Sequence, residues 1–203
     1  MSFLRKQESI KAECSMKVED VFADLPELET ERLLLRKMSL DDAGDVFEFS
    51  KDPEVFKFTG GKVHQTIKDS EEFLKEIFEK YKSREIIAWG MLHKEHNRLI
   101  GDCGFIKWDT SQAKAELDYL LSKEYWNQGL MTEAVKRVIG FGFEEMRLNR
   151  IQAICEVANI ASARVMEKAG MQFEGVLRNY NQHDGKPLDM KMYSIIRKEW
   201  IGR

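Results

Sequence analysis

The span from residue 116 to residue 170 restricts the fold of this 203-residue chain more than any other. A strand-like segment, AELDYLL, leads into KEYWNQGLMTEAVKRVIGFGFEEM, then RIQAICEV, then NIASARVMEKAGM. The first loop is rich in small and amide residues and opens a long amphipathic helix. A second strand follows, and a short helix then begins with Asn and Ser. Backbone N–H groups at a helix start have no partner inside the helix, and the helix dipole adds positive potential there. That arrangement suits the pyrophosphate of a nucleotide-like cofactor.

The rest of the chain supplies the layers around this span. Residues 32–38 read as a strand, and Ser39 caps a helix with Asp41 and Asp42 in its first turn. Pro53 is expected to end that region. Residues 66–82 are amphipathic through Ile67, Phe73, Leu74, Ile77, Phe78 and Tyr81. Residues 86–93 and 98–108 read as a hairpin around KEHN, and 113–121 as the next strand. The helix over 130–146 carries Met131, Ala134, Val135, Val138, Ile139 and Met146 on one side and Glu133, Lys136, Arg137 and Glu144 opposite. Residues 150–157 alternate through Ile151, Ala153, Cys155 and Val157. The last two strands lie near 172–179 and 190–197. The expected class is α+β, helices packed on a mixed, mainly antiparallel sheet. Val18, Val21, Phe22 and Leu25 recur at helical spacing before Pro26. Residues 1–27 thus read as an extension with a short amphipathic helix, and 28–203 as the main domain.

Composition excludes several classes. A net charge of -3 implies no general polyanion binding, so no nucleic-acid partner is expected. No run is long and apolar enough to span a membrane, and the N-terminus lacks the apolar core of a secretory signal. The three cysteines, Cys14, Cys103 and Cys155, are odd in number and far apart, which favours free thiols in a reducing cytoplasm. His93 and His96 flank a hairpin turn without a Cys or His nearby in sequence, so no metal site is expected.

Several separated segments resemble, in the right order, the GNAT acetyltransferases, and among them the ribosomal-protein N-terminal acetyltransferases of the RimJ/RimL type. LETERLLLRKMSLDDAGDVFEF is similar to that branch's opening strand and helix, and EYWNQGLMTEAV to its cofactor loop. LNRIQAICEVANIASARVMEKAGMQFEGVLRN and DMKMYSIIRKEW resemble its later stretches, so the likeness runs from about residue 28 to 200. It implies the GNAT fold with central strands that splay apart, and acetyl-CoA as co-substrate with no metal. The acetyl group would pass directly to an amine acceptor, a protein N-terminus or a small molecule. A homodimer is left open.

The resemblance also implies roles. Acetyl-CoA would enter between strands 113–121 and 150–157, pairing with them as a strand does, and a strand N–H near Leu120 or Leu121 would polarise the thioester carbonyl. Backbone amides of Gln128, Gly129, Leu130, Met131 and Thr132 would hold the pyrophosphate. The family's loop pattern is altered here: Asn127 replaces the first Gly, and Glu124 stands where Gln or Arg is usual. Asn159 would bond the pantetheine amide, with plain helix capping as its other reading. Ser162 would serve the departing thiolate, since no Tyr lies between residues 159 and 170. Arg164 and Lys168, one turn apart, would meet phosphates or simply face water. Glu116 would take the ammonium proton; Asp118 and Leu120 share its strand face, so Asp118 is a second candidate. Loops around 52–65 and 179–188 would shape the acceptor site. A non-catalytic CoA-binding sensor is the alternative from another class.

Overall fold

The computed structural model describes residues 25–183 and 185–201. The expected helix around residues 18–25 therefore falls almost wholly outside the described residues. The strands are β1 (Leu28–Glu29), β2 (Leu33–Arg36), β3 (Ile87–His93), β4 (Arg98–Asp109), β5 (Lys114–Leu121), β6 (Arg150–Glu156), β7 (Gln172–His183) and β8 (Lys186–Ile196). The helices are α1 (Ala43–Ser50), α2 (Pro53–Phe56), α3 (Ile67–Lys82), α4 (Leu130–Glu144), α5 (Ile160–Ala169) and α6 (Arg197–Ile201). One eight-stranded sheet carries the order β1-β2-β3-β4-β5-β6-β8-β7. Its neighbours are antiparallel except β5 and β6, whose connection through α4 forces them parallel.

Local chemistry sets the boundaries. The Asp69 carboxylate accepts the N–H groups of Gln65 and Thr66 at 2.7 and 2.8 Å, which fixes the start of α3. Pro53 begins α2 rather than ending the region before it, because its missing N–H costs nothing in a first turn. The Asp52 side chain caps that turn by accepting from the Glu54 N–H at 2.9 Å. The β7–β8 hairpin runs longer than expected. Most of β7 is exposed, so the alternation that marks a half-buried strand is absent there.

Part of the core lies between the sheet and α4, and Val46 of α1 and Leu74 and Ile77 of α3 belong to the same buried cluster. Leu130, Ala134, Val135, Val138 and Ile139 are fully buried. Trp89 meets Phe141 edge to face at 5.3 Å between centroids. Gly142 lets α4 approach the sheet, since a Cβ there would lie 2.8 Å from Ile151 Cδ1 and 3.0 Å from Phe105 Cζ. α4 packs on β4 and on the β1–β2 edge, where Thr30 and Arg32 hold Glu133 of its first turn.

Candidate active site

The sheet opens at its centre. β5 and β6 pair only through Lys114↔Arg150, Ala115↔Ile151 and Glu116↔Gln152. Beyond that point each strand stays bound to its outer neighbour, β5 as far as Leu121 and β6 as far as Glu156. Ser122 donates its N–H to Ile100 O at 2.8 Å, which fixes the alternation along β5. Leu120 and Asp118 accordingly turn their main chains to β4, while Leu121, Tyr119 and Leu117 turn theirs into the opening. The Leu121 carbonyl accepts from the Trp126 indole at 2.8 Å; its N–H faces the gap.

The loop that leads from β5 into α4 is strongly curved. Asn127 has φ of 61° and Gly129 φ of 80°, both left-handed. Asn is among the few side-chain-bearing residues that adopt this conformation readily, so Asn127 preserves the loop where a Gly is usual. The first helical bond is Glu133 N–H to Gly129 O at 3.0 Å, which leaves the N–H groups of Leu130, Met131 and Thr132 outside the ladder. Leu130 and Met131 bury their side chains in the core, so each offers its backbone alone to a ligand. Arg32 donates to Gln128 O at 2.9 Å and forms an ion pair with Glu133 at 2.7 Å. At the other end of the loop, the Tyr125 hydroxyl and His96 Nδ1 share a hydrogen bond of 2.8 Å.

The second helix start faces the same opening. The Asn159 side-chain oxygen accepts the Ser162 N–H at 3.1 Å, so Asn159 is a true cap. Its amide nitrogen is left to donate. Ser162 meets a residue that a search confined to α5 overlooks: Tyr119, from β5. Their hydroxyls are 2.8 Å apart, and Tyr119 also donates to Ser162 O at 3.1 Å. Tyr119 thereby reaches across the mouth of the opening. Burial pushes its phenol far above the ordinary range. Tyr193 is engaged elsewhere, donating to Glu167 at 3.0 Å. Arg164 and Lys168 are exposed on α5 and form no ion pair among the described residues.

Three carboxylates line one face of β4 and β5. Glu116 is buried and closely held: Lys107 donates to it at 3.0 Å and Gln152 at 3.2 Å. Asp118 lies two residues on, open to solvent yet deep in the protein, as a group on a cleft floor is. Desolvation, with repulsion from Glu116 and despite a hydrogen bond from the Tyr119 N–H, pushes its pKa up to about 6. Asp102 comes from β4, where it stands opposite Leu120, so it shares the face with Asp118. Desolvation and the Asp118 charge push Asp102 up to about 7. Among the described residues neither aspartate has a cationic partner. Asp102 was absent from the expected site. The signal for it is one acid in the otherwise apolar run LIGDCGF, flanked by Gly101 and Gly104.

Other expectations can be placed as well. Cys103 and Cys155 are buried free thiols, and burial raises both. Among the described residues no His, Cys, Asp and Glu group could hold a metal. Phe56 lies against His64, which lies against Phe73, at the edge of the 52–65 loop. No described helix is long and apolar enough to cross a membrane.

Known proteins share this fold. Residues 32–172 match the family model described as an acetyltransferase (GNAT) domain. The uncharacterized N-acetyltransferase p20 of Bacillus licheniformis is 33% identical over 175 residues, 86% of this chain and 98% of that protein. The uncharacterized N-acetyltransferase YoaA of Bacillus subtilis (strain 168) is 33% identical over 172 residues, 85% of this chain and 97% of that protein. Among solved structures, an acetyltransferase (GNAT family) from Bacillus anthracis aligns with a TM-score of 0.76 at 29% identity, covering 85% of this chain and 99% of that one. At 20% identity and a TM-score of 0.75, the Microcin C7 self immunity acetyltransferase MccE, solved with acetyl-CoA and AMP, shares the fold over 82% of this chain and 93% of its own.

Proposed function

The chain belongs to the GNAT acetyltransferase family, and from that premise we propose that it moves the acetyl group of acetyl-CoA to a primary amine by direct attack. The observation that carries the reading is the opening between β5 and β6, with a helix start on each side and carboxylates on its floor. Bound acetyl-CoA supplies the activated acetyl group. The loop amides of residues 128–132 hold its pyrophosphate, and the main-chain carbonyls of Leu117 and Tyr119 pair with its pantetheine arm. Asn159 donates its free amide to the same arm. Arg164 and Lys168 stand on α5 to meet phosphate charge.

The proton steps fall to named groups. The acceptor arrives as an ammonium, which has no lone pair to attack with. Asp118, paired with Asp102, binds the cation and takes its proton. Two carboxylates raised toward neutrality suit this exchange. Glu116, tied to Lys107 and Gln152, keeps the face in place and adds negative charge beside the base. As the new C–N bond forms, the Leu121 N–H supports the carbonyl oxygen. The C–S bond breaks, the Tyr119–Ser162 hydroxyl pair gives a proton to the departing sulfur, and the second proton shed by the nitrogen replaces it, so one proton in all leaves through the carboxylates.

The test follows CoA release after mixing with acetyl-CoA and a panel of amines: peptides with free N-termini, polyamines and aminoglycosides. Release with at least one class is expected, and the class identifies the acceptor. Acetyl-CoA binding without release on any amine would favour the sensor reading.

A further inference from the structure

The loop that would hold the pyrophosphate is not self-supporting. Gln128 lies between two left-handed residues, and its carbonyl accepts from Arg32 Nη1 at 2.9 Å. The same guanidinium grips Glu133 in the first turn of α4, with Nε at 2.8 Å and Nη2 at 2.7 Å from Oε2. The other oxygen, Oε1, accepts the Arg32 backbone N–H at 2.9 Å and the Thr30 hydroxyl at 2.6 Å. Both carboxylate oxygens are thus filled from the β1–β2 turn, and Arg32 turns its third nitrogen, Nη1, to the loop. A planar trans peptide points its C=O and N–H in opposite directions. Holding the Gln128 carbonyl toward Arg32 therefore aims the Gly129 N–H away from Arg32.

We propose that Arg32 is a positioning residue for coenzyme A: clamped by Glu133, it orients the Gln128–Gly129 peptide so that the loop amides converge on the pyrophosphate. The proposal rests on the reading above that coenzyme A binds at this loop. Arg32 acts here by shape rather than by charge, because Glu133 already neutralises it. A guanidinium offers five N–H donors on three nitrogens in one fixed plane and can serve both partners together; an ammonium on a flexible stem cannot.

Calorimetry on Arg32→Lys and Arg32→Ala provides the test, with two ligands: coenzyme A, and pantetheine, the same molecule cut before its pyrophosphate. Both variants are expected to bind coenzyme A about tenfold more weakly, or worse, as when a hydrogen bond to a charged group is lost. Pantetheine affinity, read by displacement, is expected to stay within about twofold of the unmodified chain. Arg32→Lys keeps the ion pair with Glu133, so it covers the case in which the alanine variant fails to fold. Full coenzyme A affinity in Arg32→Lys, or an equal loss for both ligands, would overturn the clamp alone. If the unmodified chain binds neither ligand, the proposed function fails and the clamp goes with it.

Discussion

Glu116 and Asp118 stand two residues apart on one face of β5, yet their surroundings differ in almost every respect. Glu116 is buried and held by an ammonium and an amide. Asp118 is reached by solvent from a deep position on the cleft floor, lacks a cation among the described residues and shares its face with Asp102. A strand's alternation assigns both acids to one face. What each can do there depends on partners from β4 and β6. A satisfied carboxylate is an anchor, whereas one pushed up by burial and like charge is ready to exchange a proton near neutrality.

The sharpest way to break this comparison is to neutralise each acid in turn. Asp118→Asn is expected to lower turnover about 10²–10⁴-fold with acetyl-CoA affinity nearly unchanged, as loss of a general base does. Glu116→Gln should cost far less turnover, since the amide still packs against Gln152. Single-turnover rates on a responsive amine decide the order. A larger loss for Glu116→Gln would restore it as the base and make Asp118 the bystander.

The hydroxyl pair comes next. Tyr119→Phe and Ser162→Ala should each slow the chemical step by about tenfold, well below the loss expected for a base. Each should lower stability by about 1 kcal/mol, because the pair bridges β5 and α5. Melting temperature and single-turnover rate on each variant separate the two effects. A drop in melting temperature with an unchanged rate would assign the pair to structure alone.

Stability against pH sharpens the comparison without any substrate. Asp102 and Asp118 hold their protons more tightly folded than unfolded. At this pair the fold is therefore favoured at acid pH. That advantage is lost as pH rises from the ordinary carboxylate range through about 6 and 7. Glu174 is the opposite case: Arg150 and then the Ser194 hydroxyl hold it down to about 2. Its contribution is present above pH 4.5 and lost as pH falls toward 2. Thermal melts at pH 5 and pH 8 should differ less in Asp102→Asn than in the unmodified chain. Glu174→Gln should give the smallest effect, confined to a modest loss at neutral pH, because its ion pair is largely solvated. An unchanged pH 5 to pH 8 difference in Asp102→Asn would mean the aspartates ionise as ordinary surface acids.

Much of this geometry was legible in the sequence wherever the information is local. Apolar period and caps place α3, α4 and α5, and alternation along β5 puts Glu116 and Asp118 on one face. The helix starts at Gly129 and Asn159 follow from residue type. What lay hidden is pairing between distant segments. Asp102 joins Asp118 only through the β4–β5 register, and Tyr119 meets Ser162 across 43 positions. Arg32 and Glu133 lie 101 positions apart. Asn127, an apparent departure from the loop pattern, keeps its left-handed turn, which residue identity alone did not reveal.

The three-residue seam between β5 and β6 also bears on how the chain comes together. On one side, β1 to β5 join each neighbour antiparallel, so each pairing links segments that follow one another in sequence. On the other side, β6, β7 and β8 come from a later stretch, with β7 and β8 forming a long hairpin. The hairpins β1–β2, β3–β4, β4–β5 and β7–β8 close through short turns, whereas β2–β3, β6–β8 and the β5–β6 seam each wait for a long helical connection. Short-range contacts form with the smaller entropic penalty, so the hairpins are expected to form early and the seam, with the other long connections, later. The seam is the shortest of these late joins, and it stops where the opening between β5 and β6 begins.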